Sequence, residues 1–251
     1  NGNSMKKLVI ISGGLGVLGQ AFATVLQEDG YGILNLDVVE PPPDKKIIGD
    51  YLQCNIIDEQ YIKKFNDYLA SMDMEIHGLI NSASSQPEGF GNELEDYSAD
   101  SFKDVLEVNL VGSFYLTKTV IPYMKKQKFG SIISIGSIQG VVAPTFEIYE
   151  GMNITSPLVY SVAKAGMIHS CKWIAAKYGR WNIRCNAVSP GGLEDSQHGG
   201  DVFNKIYSSR TPLGRMAQSN EIAEVVRFLI SDRSKYITGQ NILVDGGWTV
   251  W

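Results

Sequence analysis

The chain carries a tyrosine and a lysine, Tyr160 and Lys164, four residues apart in a stretch with helical periodicity. That spacing places both side chains on one face of a helix. A free tyrosine titrates near pH ~10, too high for a base at neutral pH, but a neighbouring ammonium group favours the phenolate and lowers the pKa. The pair is therefore suited to general acid–base catalysis. Taken by itself, the same spacing is also frequent on helices that have no catalytic role.

A glycine-rich turn follows the first apolar run of the chain. The run at 8–11 leads directly into Ser12-Gly13-Gly14-Leu15-Gly16-Val17-Leu18-Gly19. Such a turn between a buried strand and a helix lets backbone amides approach a pyrophosphate, and the helix N-terminus adds partial positive charge. Glycine-rich turns also serve as simple connections. The strand before this turn, the helix after it and an acid further on favour a dinucleotide site.

The acid is Asp37, which ends the second predicted strand and lies 18 residues after Gly19. A carboxylate at this place accepts hydrogen bonds from the ribose hydroxyls of adenosine. It also repels a 2′-phosphate, so the sequence favours NAD over NADP. A strand-end aspartate that only shapes a turn is the alternative interpretation.

Apolar runs alternate with amphipathic stretches along the whole chain. The apolar runs predict strands at 8–11, 32–37, 51–54, 76–81, 131–135, 182–188 and 240–244. The amphipathic stretches predict helices at 17–28, 58–72, 100–127, 157–178, 201–207 and 220–230, with Asp58, Asp100 or Ser101, and Asn220 as N-caps of the second, third and last. Repeated strand–helix units indicate an α/β fold, a single Rossmann-type doubly wound parallel sheet of about seven strands with helices on both faces. Such folds bind ligands at the carboxyl ends of their strands.

The overall composition disfavours several other functions. The 251 residues suit one domain at 5–251, after residues 1–4, which we interpret as an expression remnant before Met5. A formal net charge of -5 disfavours nucleic-acid binding. The three cysteines and three histidines are too scattered for a metal site. No apolar run suits a membrane span and no signal peptide is evident, so we expect a cytoplasmic protein with a small-molecule substrate and no membrane or nucleic-acid partner.

The order of these and further motifs resembles the short-chain dehydrogenase/reductase family over residues 6–247. The motifs are the glycine turn, Asp37, Asn81-Ser-Ala, Asn109 in Val-Asn-Leu-Val-Gly, Ser137 in Ile-Gly-Ser-Ile-Gln-Gly, Tyr160-x-x-x-Lys164, Pro190-Gly191 and the closing segment 237–247. The resemblance implies an oxidoreductase in which Tyr160 is the general acid and base, while Lys164 lowers its pKa and holds the nicotinamide ribose. Ser137 would bond the reacting oxygen, and Asn109 would hold a water that links Lys164 to solvent. The cofactor would carry the hydride.

The resemblance also implies the cofactor contacts and the assembly of the chain. The implied contacts with NAD are Ser12, Gly13, Leu15, Gly16, Leu18, Gly19, Asp37, Asn55, Ile56, Asn81, Ala83, Tyr160, Lys164, Pro190 and Gly191. The helices at about 100–127 and 157–179 would pair across a two-fold axis and give a homodimer or a homotetramer. The candidate interface residues are Val111, Phe114, Ile168 and Trp173, and core burial would explain them equally well.

Two features depart from the family pattern near the cofactor. The middle glycine of the turn is Gly16. Short members of the family have this glycine one position later, where Val17 stands in this chain. Asn55 and Ser84 stand where an acid and a glycine are usual, which affects the adenine contacts that the resemblance implies.

The largest departure is the distance of 23 positions between Ser137 and Tyr160, which is longer than in short members of the family. The excess residues, 143–157, form an insertion that must lie beside the reacting centre, because both of its ends are catalytic. Its polar side chains suit a polyhydroxylated substrate. The candidate substrate contacts are Ser85, Glu147, Tyr149, Asn153 and Gly192, and the insertion also offers Glu150 and Thr155.

The insertion and its flanking residues are similar to a bacterial subgroup associated with flagellin glycosylation and nonulosonic (legionaminic) acid biosynthesis. That similarity implies a sugar or amino-sugar substrate, as a phosphate or an activated derivative. Arg210 and Arg215 could pair with a phosphate or be ordinary surface or interface residues. Two other functions stay open: a reductase of a non-sugar ketone, such as a steroid or an acyl-carrier substrate, and a non-catalytic NAD-binding sensor or scaffold.

Overall fold

The structure, a computed structural model, describes residues 6–44, 46–153, 155–194 and 200–251. The segment 1–4, interpreted above as an expression remnant, lies outside the described residues. The described residues form seven strands: β1 Lys6–Ser12, β2 Gly32–Asp37, β3 Asp50–Gln53, β4 Met74–Asn81, β5 Gly130–Ile135, β6 Ile183–Pro190 and β7 Asn241–Val244. The helices are α1 Val17–Glu28, α2 Glu59–Ser71, α3 Ala99–Leu106, α4 Ser113–Gln127, α5 Leu158–Tyr178, α6 Gly200–Arg210 and α7 Ser219–Ile230.

All seven strands belong to one sheet in the order β3-β2-β1-β4-β5-β6-β7, and every neighbouring pair is parallel. The predicted fold class is therefore confirmed. The chain moves outward from β1 to β3 and then returns to place β4 on the other side of β1. This reversal leaves a crevice at the carboxyl ends of β1 and β4, where ligands of doubly wound sheets bind.

Helices cover both faces of the sheet. On one face α1 and α7 bury apolar residues against the strands, and on the other face α2, α4 and α5 do so. Every residue of β5 and β6 is buried, as expected for parallel strands that are covered on both sides. A smaller apolar cluster joins the inserted segment, α6 and the C-terminal region; its buried members are Ile138, Ile148, Phe203, Tyr207, Met216 and Trp248.

Two predicted helix starts are wrong. The third helix begins after Ser98, whose hydroxyl accepts a hydrogen bond from the Ser101 amide, so neither Asp100 nor Ser101 is the cap. The last helix is capped by Gln218 in a reciprocal pair with Glu221, and Asn220 lies within its first turn. In both cases a polar residue two or three positions earlier is the cap. The predicted cap Asp58 is confirmed.

The segment predicted as one long helix at 100–127 is interrupted by a π-helical turn at Glu107–Gly112. Gly112 lies against Ile56, and a β-carbon there would lie 2.5 Å from two of its side-chain carbons. Asn109 lies inside this turn, between α3 and α4. Among the described helices, none combines the length and apolar character needed to cross a membrane.

Candidate active site

Tyr160 lies in the first turn of α5, just after the segment that follows β5. Lys164 lies one turn further along the same helix, and its side chain is 3% exposed. The Lys164 Nζ donates a hydrogen bond to the Ile135 carbonyl at 2.9 Å and lies 5.5 Å from the centre of the Tyr160 ring. The helix and the end of β5 therefore bring the predicted pair together, with the ammonium group anchored to the sheet.

Ser137 follows β5 in an extended conformation, and its Oγ accepts a hydrogen bond from the Gln139 amide at 3.2 Å. The next turn, Ile138–Gly140, packs directly on α5. Gly140 permits this approach, because a β-carbon there would lie 2.7 Å from the Lys164 backbone carbon. The Ser137 hydroxyl also lies close enough to the Tyr160 phenol to lower its pKa as a hydrogen-bond partner. Three of the predicted catalytic residues thus form one cluster.

Burial dominates the electrostatics of the cluster. Burial raises the pKa of Tyr160 above its ordinary value, the hydrogen bond from Ser137 opposes this effect, and the charge of Tyr149 adds to it. Burial also lowers the pKa of Lys164 from 10.5 to about 8. In the chain alone, desolvation outweighs the chain's own charges, because Lys164 is directed to a carbonyl. The lowered pKa of Tyr160, which is expected from the ammonium group together with a positive nicotinamide ring, stays a prediction.

Asn109, the fourth predicted catalytic residue, is fully buried in the π-helical turn. Its Nδ2 donates to the Val105 carbonyl at 2.9 Å, and its Oδ1 has no hydrogen-bond partner among the described residues. Gly166 lets α5 approach this turn, since a β-carbon there would lie 3.0 Å from the Leu110 side chain. A buried acceptor without a protein partner is suited to hold a water molecule.

The glycine turn is shaped by close backbone contacts. Gly13 has φ +66°, and a β-carbon there would lie 2.9 Å from the Ala83 Cα. A β-carbon at Gly19 would collide with the Gly13 carbonyl oxygen. Gly16 is the N-cap of α1 and offers no side chain to its free amides. The turn therefore presents an uncapped helix N-terminus beside the end of β4.

Asp37 reaches this turn from the end of β2. One carboxylate oxygen accepts a hydrogen bond from the Leu15 amide at 3.1 Å, and the other accepts one from the Val39 amide at 3.4 Å. An uncapped helix start, a glycine cradle that a larger residue would fill, and a carboxylate at its rim fit the adenosine half of a dinucleotide.

The other predicted cofactor contacts lie around the same edge of the sheet. Ser12 Oγ accepts hydrogen bonds from the amides of Ser82 and Ala83 at 3.1 and 3.3 Å, which ties the ends of β1 and β4 together. Leu18 packs against the core beneath α1. Asn81 is buried, and its Nδ2 donates to Thr117 of α4 at 3.4 Å, so its side chain faces the helix layer.

Asn55 and Ile56 follow β3. The Asn55 Oδ1 accepts a hydrogen bond from the Ile57 amide at 3.3 Å and closes a turn, while Ile56 is buried. Pro190 ends β6, and the Gly191 amide donates to the Val244 carbonyl at 3.0 Å. These four residues follow or end β3 and β6 at the carboxyl edge of the sheet.

The inserted segment lies beside the reacting centre, as predicted. Ile148 is 2% exposed and packs in the small apolar cluster with α6, and the Tyr149 ring lies 5.6 Å from the Phe203 ring. The Thr155 amide donates to the Gly91 carbonyl at 2.9 Å, which joins the insertion to the segment after β4. The insertion is thus held on two sides.

The five predicted substrate contacts differ in how far they are buried. Tyr149 and Ser85 are partly buried, whereas Glu147 and Asn153 are exposed. The Gly192 amide donates to the Tyr207 hydroxyl at 2.7 Å. Of the five candidates, Tyr149 combines partial burial with an electrostatic effect on Tyr160.

Neither arginine that was considered for a phosphate is unpaired. Arg215 forms a two-pronged ion pair with Glu221, with both N–O distances at 2.7 Å. Arg210 lies 3.9 Å from Glu147. The surface interpretation is therefore the better one for Arg215, because its guanidinium already has a carboxylate partner.

Five residues near the cluster were missed by the sequence interpretation. The Phe90 ring meets the Tyr160 ring edge-on at 6.0 Å between centroids. Tyr207 stacks on Trp248 at 4.1 Å. Gln139 and Ser156 hydrogen-bond each other, and Gln139 also bonds Tyr149. Gln139 lies two positions after Ser137, and Ser156 lies four positions before Tyr160. This closeness in the sequence was the signal that could have identified them.

Known proteins resemble this chain over nearly its whole length. A family model described as enoyl-(acyl carrier protein) reductase matches residues 16–249. Post-translational flagellin modification protein A of Campylobacter coli is 30% identical, with 96% of this chain and 98% of the relative aligned. The 3-oxoacyl-(acyl-carrier-protein) reductase of Thermotoga maritima is also 30% identical, over 97% of this chain and 98% of its own length.

A solved structure is similarly close. The short chain dehydrogenase of Leptospira borgpetersenii with bound NAD+ superposes with a TM-score of 0.88 at 34% identity, and covers 98% of this chain and 93% of its own.

Proposed function

This chain belongs to the short-chain dehydrogenase/reductase family, and we propose that it transfers a hydride between NAD and a hydroxyl or ketone carbon of a sugar or amino-sugar, as a phosphate or an activated derivative. Family membership makes it an oxidoreductase that uses a nicotinamide cofactor. The observation that carries the proposal is the cluster of Ser137, Tyr160 and Lys164 at the edge of the sheet that holds the glycine turn.

Bound NAD would accept or donate the hydride at the reacting carbon. The chain supplies the proton transfer and the positioning. The Gln139 amide occupies one acceptor site of the Ser137 oxygen, so the Ser137 proton is available to donate to the Tyr160 oxygen or to a substrate oxygen. Tyr160 gives a proton to the oxygen of a ketone, or takes one from a hydroxyl group.

The direction of proton transfer follows from the burial of Tyr160. Because burial raises its pKa, the phenol of the chain alone is protonated at neutral pH and ready to donate to a ketone oxygen. Oxidation of a hydroxyl group first requires loss of that proton. The oxidation rate should therefore rise with pH in the alkaline range, while the reduction rate falls.

The preference for NAD rests on Asp37. Its carboxylate lies at the rim of the glycine turn, 3.1 Å from the Leu15 amide, where a 2′-phosphate would meet like charge. We therefore expect NAD to raise the melting temperature more than NADP at equal concentration. An equal or reversed shift would refute the assignment.

The sugar substrate is supported by the chemistry of the insertion. Tyr149 presents a hydroxyl group that lies within electrostatic range of Tyr160, and Glu147 and Asn153 extend the polar surface outward. A polyhydroxylated molecule offers many hydrogen-bonding partners to such groups, whereas a steroid offers few. We further propose a cytoplasmic location, which is compatible with the three buried, unpaired cysteines.

A reductase of acyl-carrier substrates is the second candidate. It is favoured by the relative from Thermotoga maritima and by the description of the family model. A non-catalytic sensor is less well supported, because such proteins generally lose the tyrosine or the lysine and this chain has both.

For the assembly, we propose a dimer or tetramer formed through α4 and α5. Phe114 and Trp173 are 58% and 61% exposed and line a cavity of about 460 Å³ between these helices. Val111 is also exposed, while Ile168, a further candidate, belongs to the core. A monomer by light scattering at micromolar concentration would contradict the proposal.

Hydride transfer with a substrate panel tests the function. The panel contains aldoses, amino-sugars and their phosphates, a steroid ketone and a 3-oxoacyl thioester, each with NAD or NADH. We expect turnover of the sugar class and its loss in Tyr160→Phe, with the thermal shift by NAD retained. A protein that binds NAD, turns over nothing and is unaffected by Tyr160→Phe would be a sensor. Turnover of the thioester alone would identify the second candidate.

A further inference from the structure

Gln139 connects the catalytic serine to the inserted segment. Its backbone amide donates to the Ser137 Oγ at 3.2 Å. Its side chain accepts a hydrogen bond from the Ser156 hydroxyl at Oε1 and donates from Nε2 to the Tyr149 hydroxyl at 3.4 Å. One residue thus holds a reacting group with its main chain and two points of the insertion, Tyr149 near its middle and Ser156 near its end, with its side-chain amide.

We propose that Tyr149 recognises a second hydroxyl group of the substrate, on the carbon next to the reacting carbon, and that Gln139 and Ser156 are positioning residues for it. The inference rests on the proposed function. According to this inference, the Tyr149 hydroxyl and the Gln139 amide that holds it determine whether the site prefers a polyhydroxylated substrate or an apolar ketone.

The placement of Tyr149 suits this role. Its ring packs against Phe203 of α6 at 5.6 Å, and the insertion that carries it is also bonded to the segment after β4 through Thr155 and Gly91. The charge of a Tyr149 phenolate would raise the pKa of Tyr160, so the two phenols lie within electrostatic range of each other. Tyr149 is therefore a fixed group beside the reacting centre.

The protonation state of Tyr149 supports recognition and argues against a second base. Burial raises its pKa, although hydrogen bonds from Gln139 and Ser156 act in the opposite direction. The phenol is therefore neutral at physiological pH, with an oxygen that both donates and accepts. A neutral group of this kind distinguishes a hydroxyl from a methylene, because an apolar group would leave buried polar atoms without a partner.

The geometry also separates Gln139 from the catalytic step. The bond to Ser137 comes from the Gln139 backbone, whereas the bonds to Tyr149 and Ser156 come from its side chain. A substitution such as Gln139→Met keeps the backbone hydrogen bond to Ser137 and removes the side-chain hydrogen bonds to Tyr149 and Ser156. Selectivity can therefore be altered while the contact that orients Ser137 is retained.

The experiment measures kcat and KM with NAD for two pairs of alcohols, trans-1,2-cyclohexanediol against cyclohexanol and D-glucose against 2-deoxy-D-glucose. In Tyr149→Phe and Gln139→Met we expect kcat/KM for the hydroxylated member to fall about tenfold, mainly through KM, as for one lost hydrogen bond. The deoxy member should change less than about twofold. The double variant should be no worse than Tyr149→Phe, since both remove the same interaction.

Three controls distinguish substrate recognition from a purely structural role. Tyr123→Phe removes a comparable hydroxyl far from the cluster, where it bonds Asn66, and should leave all four substrates unchanged. Ser156→Thr keeps the hydroxyl and should retain selectivity, whereas Ser156→Ala should lose it. The thermal shift by NAD reports whether each variant is folded.

The possible results test the role of Tyr149 and the proposed function separately. Equal losses on both members of a pair would mean that Tyr149 only supports the fold, and no loss on either would mean that it does not touch the substrate; both overturn the inference while the proposed function stands. Wild-type protein that turns over none of the four alcohols but reduces a 3-oxoacyl thioester would overturn the proposed substrate class as well, before any variant is made.

Discussion

The glycine turn at 12–19 and the inserted segment at 143–157 both follow the carboxyl end of a strand, and they are held by different means. In the turn, backbone lies on backbone, and Gly13 approaches Ala83 so closely that a β-carbon would not fit. In the insertion, side chains do the work: Ile148 is buried among residues of α6, and Tyr149 is bonded to Gln139. The turn tolerates almost no added atoms, whereas the insertion depends on which side chains it carries.

This contrast has a functional consequence. A site made from backbone amides and a helix terminus binds what all dinucleotides share, the pyrophosphate. A site made from side chains can change its preference when a few of them change. We therefore expect substitutions in the turn to affect cofactor binding and stability together, and substitutions in the insertion to leave cofactor binding unchanged.

The largest effect is expected for Gly19→Ala in the turn. The added β-carbon would collide with the Gly13 carbonyl and the Gly14 backbone. We expect a loss of about 3 kcal/mol in the free energy of unfolding, at the upper end for overpacking, and loss of the thermal shift by NAD. The matched control is Gly151→Ala in the insertion, where φ is +77° and no atom lies within 4 Å of the new carbon. It should cost about 1 kcal/mol and leave the NAD shift unchanged. Similar NAD shifts in the two variants would contradict the contrast.

The next largest effect is expected for Ile148→Ala in the insertion. Removing this buried side chain should destabilise the cluster with α6 by about 2–4 kcal/mol, measured by denaturant unfolding or by hydrogen exchange of α6. The NAD shift should persist, because the glycine turn lies outside this cluster. Val141→Ala, at a half-exposed position before the insertion, serves as the control and should change stability by less than about 0.5 kcal/mol. Loss of NAD binding in Ile148→Ala would show that the two regions are coupled.

A third effect concerns pH and Lys164 in α5, the helix that follows the insertion. Burial lowers the pKa of Lys164 from 10.5 to about 8, so between these values the folded chain loses its proton before the unfolded chain does. The unfolded state then binds more protons, and the free energy of unfolding rises with pH by up to about 1.4 kcal/mol per pH unit. Below pH 8 Lys164 is protonated in both states, so it no longer makes the free energy of unfolding depend on pH.

Lys164→Met should remove that rise, measured by urea unfolding between pH 8 and 10. Lys172→Met, an exposed position on the same helix, is the control and should follow the wild-type curve. A Lys164→Met curve that rises with pH as steeply as the wild-type curve would mean that Lys164 is not desolvated as the structure indicates.

The sequence predicted the glycine-turn side of the molecule better than the insertion. The sheet, its helices and the meeting of Tyr160 with Lys164 follow from apolar runs and from spacing, which act locally or through the fixed geometry of parallel strands. The position of Asp37 at the turn follows for the same reason. The turn after Asp58 was also predicted correctly, because a cap acts within four residues.

What the sequence did not predict depends on three-dimensional burial. The raised pKa of Tyr160 comes from desolvation, which spacing does not reveal. The π-helical turn around Asn109 interrupts a segment whose periodicity predicts a continuous helix. The bond between Gln139 and Tyr149 depends on how the insertion folds back, and no local pattern encodes that path.

The smallest effect is expected for Arg215→Gln, and it tests whether the phosphate of a phosphorylated substrate is bound near the insertion by this arginine. Arg215 is paired with Glu221 on an exposed surface, so its removal should change the free energy of unfolding only slightly. Because the guanidinium already has a carboxylate partner, KM for a sugar phosphate and for the free sugar should change by the same small factor. A selective rise in KM for the phosphate would show that the ion pair opens on binding, and would place the phosphate beside α7. Equal values would leave the side chains of the insertion as the source of selectivity on this side of the cleft.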